Sequence, residues 1–344
     1  MAVSTAALLP GCSGGEQSKG EINVFNWGEY ISNGEDGSMN VIKEFEKKTG
    51  IKVNYTNYET NEEMYNLIKN SNSSYDVIIP SDYMVDKMIS ENMLAEINFD
   101  NIPNYKNIME KYRTTGYDEE GKYSVPYSWG VVALCYNKTM VDKKPTGFSA
   151  LWDKKYSGQM LMFNNSRDAM AIAMKLKGID PSAVTKEDVD VAADYLKEQK
   201  PLLKKYVMDQ VFTEMEGSQA AMAPYYAGDI AMMIENNEEL DYVLPEEGSN
   251  LFIDAMCIPK NSKNKELAEE FINFMLEPDV AKANAEYIGY STPNQAAYDI
   301  LEDDMKNNEL IYPNDEYLDK CYCFTDLPKD VYDYMQDQFL KVQS

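Results

Sequence analysis

From residue 21 onward, short apolar strands alternate with amphipathic helices, and this rhythm constrains the fold more than any other feature of the sequence. The pattern predicts strands at 21–27, 51–56, 75–79, 131–136, 159–163, 229–234 and 251–258, and helices at 38–49, 61–70, 168–177 and 186–199. The last third is predicted to be mostly helical. Such alternation is typical of a doubly wound α/β fold.

The length of the chain predicts more than one core. A chain of 344 residues exceeds the usual size of a single hydrophobic core, so we expect two lobes. No Gly- and Pro-rich linker separates the two halves of the sequence. The lobes are therefore expected to be joined by strand crossovers rather than arranged as tandem domains.

The charge balance narrows the class of ligand. The chain has 58 Asp and Glu against 32 Lys and Arg, which gives a formal net charge of -26 at pH 7. The electric field of such a net charge repels nucleic acid and concentrates cations near the surface. The alternative is that the acidic residues serve only solubility. Guanidinium groups occur only at Arg113 and Arg167, so an anionic ligand is a poor fit. Histidine is absent, which excludes Ser-His and Cys-His catalysis and His-ligated zinc.

Two aromatic residues flank a carboxylate in Trp27-Gly28-Glu29-Tyr30, at the end of the first predicted strand. An aromatic face attracts an ammonium group, and a carboxylate supplies its charge partner. The alternative is that both rings only fill the core. Ligands of open α/β sheets lie beyond the carboxyl ends of the strands, where 27–30, 81–83 and 165–168 are expected.

The N-terminus indicates where the protein is located. Residues 2–9 form a small apolar tract that is too short to span a bilayer, and Leu9-Pro10-Gly11-Cys12 with the Gly- and Ser-rich stretch after it resembles a bacterial lipobox. We expect 1–11 to be the remnant of a signal peptide, Cys12 to be lipidated, and 12–20 to be anchor and tether. Pro10 and the missing basic region depart from the pattern, and a frayed tail with a chance cysteine is the alternative.

The remaining cysteines make no metal signature. Cys135 and Cys257 lie in apolar runs and are expected to be small core residues. Cys321 and Cys323 are one residue apart, which is too close for a Cys-x-x-Cys motif, and their redox state stays open. We expect no metal and no cofactor.

Several long strings resemble the spermidine/putrescine-binding proteins of polyamine ABC transporters. They are FNWGEY at 25–30, YETNEEMY at 58–65, YDVIIPSDYMVDKM at 75–88, VPYSWG at 125–130, EEGSNLFID at 246–254 and IGYSTPN at 288–294. The resemblance implies an α/β periplasmic-binding-protein fold of type II, in which two lobes close over an extended ligand in the cleft. Lobe 1 would comprise 21–130 and 253–298, and lobe 2 would comprise 131–252 and 299–344.

The resemblance also implies a set of site residues. By position, the aromatic walls would be Trp27, Tyr30, Tyr83, Tyr226, Phe252 and Tyr290, with Ser81 as a hydrogen-bonding neighbour, Glu29 between the first two rings, and Asp254 and Asp168 as carboxylates for ammonium groups. The family's second acidic cluster departs here, because an Asp of the family is Asn165 and its Glu is the shorter Asp168. These changes leave the preferred polyamine open. Independently, Asp254 lies within an apolar run, where a carboxylate needs a partner or a ligand.

We therefore expect a membrane-tethered, monomeric receptor on the extracellular face of a bacterial cell, or in the periplasm where an outer membrane exists. It would capture spermidine or putrescine, deliver it to permease and ATPase subunits, and perform no chemistry. Two alternatives stay open at this point. Adjacent Tyr225 and Tyr226 are typical of ferric-iron receptors of similar fold, and a pair of carboxylates is sufficient for a glycosidase.

Overall fold

The computed structural model describes residues 19–70, 74–113 and 116–344. The strands are β1 (Gly20–Trp27), β2 (Ile51–Tyr58), β3 (Val77–Ile78), β4 (Ser124–Asn137), β5 (Met160–Phe163), β6 (Leu203–Val207), β7 (Met222–Tyr226), β8 (Leu240–Val243) and β9 (Leu251–Cys257). The helices are α1 (Val41–Thr49), α2 (Asn61–Asn70), α3 (Asp82–Ser90), α4 (Ser166–Leu176), α5 (Lys186–Gln199), α6 (Gln210–Glu216), α7 (Ala227–Asn236), α8 (Lys265–Met275), α9 (Pro278–Ile288), α10 (Gln295–Ile300), α11 (Asp303–Lys306), α12 (Asp315–Leu318) and α13 (Lys329–Gln343). Cys12, the predicted leader and most of the predicted tether lie outside the described residues.

Local sequence signals set the helix ends. The side chain of Asn40 accepts a hydrogen bond from the Lys43 amide at the start of α1, and Gly50 ends the helix with a left-handed φ of 73°. At the start of α4, the Asn165 side chain accepts hydrogen bonds from the amides of Arg167 and Asp168. This cap holds the first turn of α4 beside the end of β5.

The strands follow the order β2-β1-β3-β9-β4-β7-β5-β6, and β8 pairs with β4 beside this path. The β1–β2, β1–β3, β5–β6 and β5–β7 pairs are parallel, whereas β9 and β4 pair with their neighbours in antiparallel fashion. The predicted α/β class is therefore confirmed, with two parallel halves on either side of a central antiparallel pair.

Strand β4 connects the two halves. Its 14 residues are all buried; Ser124 to Val131 pair with β9, and Val132 to Asn137 pair with β7 and β8. The buried apolar residues form two large clusters. The first core draws on residues 22–129 and 252–290, and the second core on 131–243 and 310–342. The chain thus leaves the first core through β4 and returns to it through β9.

One predicted element is wrong. Residues 229–234 are not a strand but belong to α7, and the strand of this region is β7, which ends at Tyr226. The buried positions Ala227, Ile230 and Met233 recur every third residue, so one face of α7 packs on the core. A short apolar run does not separate a strand from a buried helix, which explains the error. The predicted helices 61–70 and 186–199 are confirmed with the same bounds, and the other predicted elements are confirmed with shifted ends.

Candidate ligand-binding site

Asp254 on β9 is a buried carboxylate at the centre of the sheet. Only 5% of it is exposed, and its Oδ2 accepts a hydrogen bond of 2.6 Å from the Tyr30 hydroxyl. Burial raises the pKa of Asp254 to about 6, although Tyr30 and the nearby Ser81 hydroxyl act in the opposite direction. Ser81 reaches this position because its backbone forms an isolated bridge with Asp254 just before α3. The chain therefore positions three sequence-predicted residues together.

A second buried carboxylate, Asp168, lies in the first turn of α4 and is 4% exposed. Its Oδ2 accepts a hydrogen bond of 3.0 Å from the hydroxyl of Tyr226, at the end of β7. Burial raises the pKa of Asp168 to about 6, and Tyr226, the Arg167 charge and Asn250 lower it in part. Asp168 and Asp254 are thus alike, because each carboxylate accepts a hydrogen bond from one tyrosine hydroxyl.

Each carboxylate keeps one oxygen free. The Oδ1 atoms of Asp168 and Asp254 are buried and have no hydrogen-bond partner among the residues that the structure describes. A buried acceptor without a donor costs about 1 to 3 kcal/mol, and more when it is charged. A ligand that donates hydrogen bonds and carries positive charge would satisfy both atoms.

Four aromatic side chains, which we call the aromatic run, connect the carboxylates. They are Tyr226, Phe252, Tyr290 and Tyr30, and successive ring centroids lie 5.5, 5.9 and 5.8 Å apart. The rings meet edge to face, so aromatic surface extends continuously from one carboxylate to the other. Such a surface accommodates methylene groups and attracts ammonium groups.

Two glycines allow the rings of the aromatic run to pack against backbone. A Cβ atom at Gly228 would lie 2.5 Å from the Tyr290 ring, and one at Gly130 would lie 2.7 Å from the Phe252 ring. Either contact is too short for a real Cβ atom, so a side chain at these positions would displace a ring. The glycines therefore fix where the aromatic surface lies.

Sequence reasoning missed two charged residues between the cores. Asp82 is 1% exposed, and its carboxylate accepts hydrogen bonds from the amides of Tyr83 and Ile253 at 2.7 and 3.3 Å. Burial, together with the charge of Asp254, raises the pKa of Asp82 to about 8. Arg167 is 4% exposed, and its guanidinium lies over the Tyr83 ring at 5.0 Å. Asp82 lies within 81–83 and Arg167 within 165–168, two segments that were expected beyond strand ends. This position in the sequence is the signal that could have identified both residues.

Asp229 was also missed, although it lies only three residues after Tyr226. It is half-buried on α7. Burial raises the pKa of Asp229 to about 7, and the neighbouring Tyr290 opposes this shift. Tyr290 of the aromatic run therefore also has a carboxylate near it.

Three other predicted site residues have local structural contacts. Trp27 is half-buried, and its Nε1–H donates to the Ile79 carbonyl at 2.9 Å. Glu29 is exposed, has a left-handed φ of 49°, and accepts a hydrogen bond of 3.3 Å from the Tyr287 hydroxyl. Asn165 uses its side-chain oxygen to cap α4. The ligand contacts expected of Trp27, Glu29 and Asn165 stay predictions.

The adjacent tyrosines do not form a joint pair of metal donors. Tyr225 donates its hydroxyl hydrogen to Asp209 at 3.2 Å, whereas Tyr226 donates to Asp168. Within 19–70, 74–113 and 116–344, no group of three or more Cys, Asp or Glu side chains is arranged to hold a metal ion. No helix in the same ranges has both the length and the apolar character needed to cross a bilayer.

A cavity of about 580 Å³ borders the candidate site at Phe324, whose ring contacts Tyr83 and Arg167. Leu251 and Ile253 line it, and these residues alternate along the strand with Phe252 and Asp254. The buried carboxylate and the aromatic ring therefore face away from this cavity. The candidate site is defined by the two carboxylates and the aromatic run.

Comparisons with known proteins identify the family and the fold. Residues 40–313 match the family described as bacterial extracellular solute-binding protein. The spermidine/putrescine-binding periplasmic protein of Salmonella typhimurium is 32% identical over 92% of this chain and 90% of its own length. The structure of a spermidine/putrescine ABC transporter substrate-binding protein from Streptococcus pneumoniae is 33% identical, with a TM-score of 0.83 over 94% of this chain and 98% of that chain. A lipoprotein of Treponema pallidum has the same TM-score at 25% identity, over 94% and 99% of the two chains.

Proposed function

This chain belongs to the bacterial extracellular solute-binding protein family, among the spermidine/putrescine-binding members, and we propose that it captures a polyamine and delivers it to an ABC transporter. It is a transport receptor and not an enzyme. The observation that carries the proposal is the pair of buried carboxylates, Asp168 and Asp254, each with a free oxygen at one end of the aromatic run.

A polyamine fits this arrangement because its chain alternates methylene segments with ammonium groups. One ammonium would donate to Oδ1 of Asp254 and another to Oδ1 of Asp168, while the methylenes lie along the aromatic run. Each contact would be a charge-assisted hydrogen bond in a dry environment, which is roughly twice as strong as a neutral one. Ser81 supplies a further hydroxyl beside the first ammonium, and Tyr83 belongs to the wall at the second end.

The two cores would act as the two lobes, with lobe 1 at 21–130 and 253–298 and lobe 2 at 131–252 and 299–344. Contacts across the site support this division. The hydroxyl of Tyr332 on α13 donates to Glu62 on α2 at 3.0 Å, and Lys87 on α3 forms an ion pair of 3.7 Å with Asp326. Such contacts would break when the lobes separate to admit the ligand, so they belong to a closed arrangement.

Calorimetric titration of the purified protein tests the proposal. Putrescine and spermidine should bind saturably, whereas 1,4-butanediol, which has the carbon chain of putrescine without its charges, should not. The double substitution of Asp168→Asn with Asp254→Asn should abolish polyamine binding, and Asp337→Asn on the exposed face of α13 should leave it unchanged. Equal binding of the diol, or no binding of any amine by the unaltered protein, would overturn the assignment.

The location and partners follow from the same proposal. The protein would act outside the cytoplasmic membrane as a monomer, held by a lipid on Cys12, and would present its ligand to permease and ATPase subunits. The Treponema pallidum relative, which is a lipoprotein, supports the anchor. Cys12→Ala should release the protein into the soluble fraction of cells that express it. Retention of this variant on membranes after a high-salt wash would contradict the anchor.

A further inference from the structure

Asn250 is a buried polar residue that the carboxylates and the aromatic run leave unexplained. It directly precedes β9 and is 4% exposed. Its side-chain Oδ1 is buried and has no hydrogen-bond partner in the described part of the chain. A buried acceptor that lacks a donor costs free energy, so this oxygen needs a donor from outside those residues.

The backbone fixes the face on which this side chain lies. The Asn250 carbonyl accepts a hydrogen bond of 3.1 Å from the Val132 amide, which extends the register of β9 against β4 by one residue. Side chains alternate along a strand, so Asn250 lies on the same face as Phe252 and Asp254. On its other side, Val132 pairs with Tyr226. Asn250 therefore lies on the face of the aromatic run, at the end that Tyr226 forms.

Asp168 is the neighbour of Asn250 at this end. Asn250 is among the groups that lower the pKa of Asp168, against the larger effect of burial. Only the NH2 end of an amide favours a nearby carboxylate, so Nδ2 is the atom turned toward Asp168, and Oδ1 is left for another donor. Two neighbouring side chains thus each carry a buried acceptor without a donor, Oδ1 of Asp168 and Oδ1 of Asn250.

Arg167, which precedes Asp168, does not supply the missing donor. Its Nη2 donates to the Thr325 carbonyl at 3.0 Å, and its Nη1 has no partner among the described residues. A bound molecule is therefore the remaining source of a hydrogen bond to Asn250. A primary ammonium group that is bound to Asp168 has three N–H donors, and the carboxylate oxygen accepts only one of them.

We propose that Asn250 is a ligand-binding residue, and that its Oδ1 accepts a hydrogen bond from the same terminal ammonium that donates to Oδ1 of Asp168. This inference deepens the proposed function and rests on it, because it adds a residue to the same polyamine site. The pair makes the second end specific for a primary ammonium. A positive charge alone satisfies Asp168, but two acceptors require two N–H groups on one nitrogen.

Calorimetric titration of putrescine against variants of Asn250 tests the proposal. Asn250→Leu keeps the approximate volume and removes the acceptor, so putrescine affinity should fall about tenfold to a hundredfold, as expected for a hydrogen bond to a charged group. Asn250→Asp keeps an acceptor and removes the NH2 group, and it should bind putrescine at least as tightly as the unaltered protein. Asn261→Leu and Asn261→Asp, at an exposed position after β9, should change nothing.

The Asp variant separates a ligand contact from a positioning role. If Asn250 acted only by holding Asp168 through its NH2 group, Asn250→Asp would lose at least as much affinity as Asn250→Leu. Comparable losses in the two variants would therefore overturn the proposal, and so would an unchanged affinity in Asn250→Leu. Asn250→Val also removes the acceptor and replaces Asn250→Leu in the series if that variant does not fold.

A methylated ligand checks the contact from the other side. N,N,N′,N′-tetramethylputrescine keeps both positive charges but has one N–H group per nitrogen, which is enough for Asp168 and not for Asn250 as well. The loss of affinity that methylation causes should be about tenfold smaller in Asn250→Leu than in the unaltered protein. An equal loss in both proteins would overturn the contact.

The outcomes also separate this inference from the proposed function. Failure of the unaltered protein to bind putrescine would overturn both. Putrescine binding that depends on Asp254 but not on Asn250 would overturn this inference alone.

Discussion

Replacing Asp254 by Asn should stabilise the ligand-free protein at neutral pH while it destroys ligand binding. An Asp side chain in an unfolded chain titrates near about 3.9, and burial raises the pKa of Asp254 in the folded protein to about 6. Ionisation is therefore more costly in the folded state. Because the pKa is higher in the folded state, the protonated Asp254 side chain favours folding relative to the ionised one. This contribution to stability is fully present below about pH 4 and is lost as the pH rises through about 6.

The size of this effect follows from the two pKa values. A difference of about two pKa units corresponds to about 3 kcal/mol at pH 7.5. Asn keeps an acceptor for the Tyr30 hydroxyl and carries no charge, so Asp254→Asn should recover most of this free energy of unfolding. The gain should shrink between about pH 6 and pH 4 and vanish below that range, because the carboxylate of the unaltered protein is then protonated in both states.

Urea unfolding of the ligand-free proteins, followed by tryptophan fluorescence at pH 7.5 and pH 4, measures the difference. The midpoint of Asp254→Asn should lie above that of the unaltered protein at pH 7.5, with an unchanged slope. Asp337→Asn, at an exposed position, should shift neither midpoint. A variant that is equally or less stable at pH 7.5 would refute the reasoning, because the buried carboxylate would then not be a source of instability.

Three further predictions concern the ligand. Putrescine affinity should fall as the pH drops below about 6, by up to about a hundredfold per pH unit when both Asp168 and Asp254 must lose a proton to bind; a flat calorimetric profile from pH 7.5 to 5 would contradict this. Gly228→Ala should weaken binding at least about tenfold, because its Cβ would displace the Tyr290 ring, whereas an alanine at Gly116, which has open space around it and no left-handed φ, should not. Asn165→Asp should keep the cap of α4 and shift preference toward spermidine, measured as the ratio of the two dissociation constants.

Position after a strand predicted part of the candidate site, because backbone topology brings the ends of strands together. Tyr30 and Ser81 follow β1 and β3 in this way, and both meet Asp254. Asp254 lies within β9 and was predicted from the resemblance and from the apolar run around it. Sequence reasoning missed Asp82, which follows Ser81 directly. Its carboxylate accepts a hydrogen bond from the Ile253 amide, a contact that exists only in the folded chain. Burial of Arg167 likewise depends on Phe324, which lies 157 residues further along the chain and is positioned by tertiary packing.

Local sequence was also unable to decide the α7 region. The run from 229 to 234 has apolar residues at nearly every position, so neither a period of two nor a period of 3.6 stands out. The preceding β7 pairs with β4 on one side and touches β5 on the other, and this pairing ends at Tyr226. The chain then forms α7, which covers the sheet. The packing of the second core determines this helix, and the local sequence alone does not.

The two carboxylates should not contribute equally to affinity, and this asymmetry provides the last prediction. Asp254 is surrounded by uncharged donors, so an ammonium on its free oxygen would be the full charge partner; Asp254→Asn should cost about 3 to 5 kcal/mol, or hundreds- to thousands-fold in affinity. Asp168 already has the Arg167 charge beside it, which reduces what a ligand cation adds, so Asp168→Asn should cost about 1 to 2 kcal/mol. Calorimetry with putrescine measures both losses. Equal losses at the two positions would show that Arg167 does not weaken the second end, and a larger loss at Asp168 would reverse the assignment of the two ends.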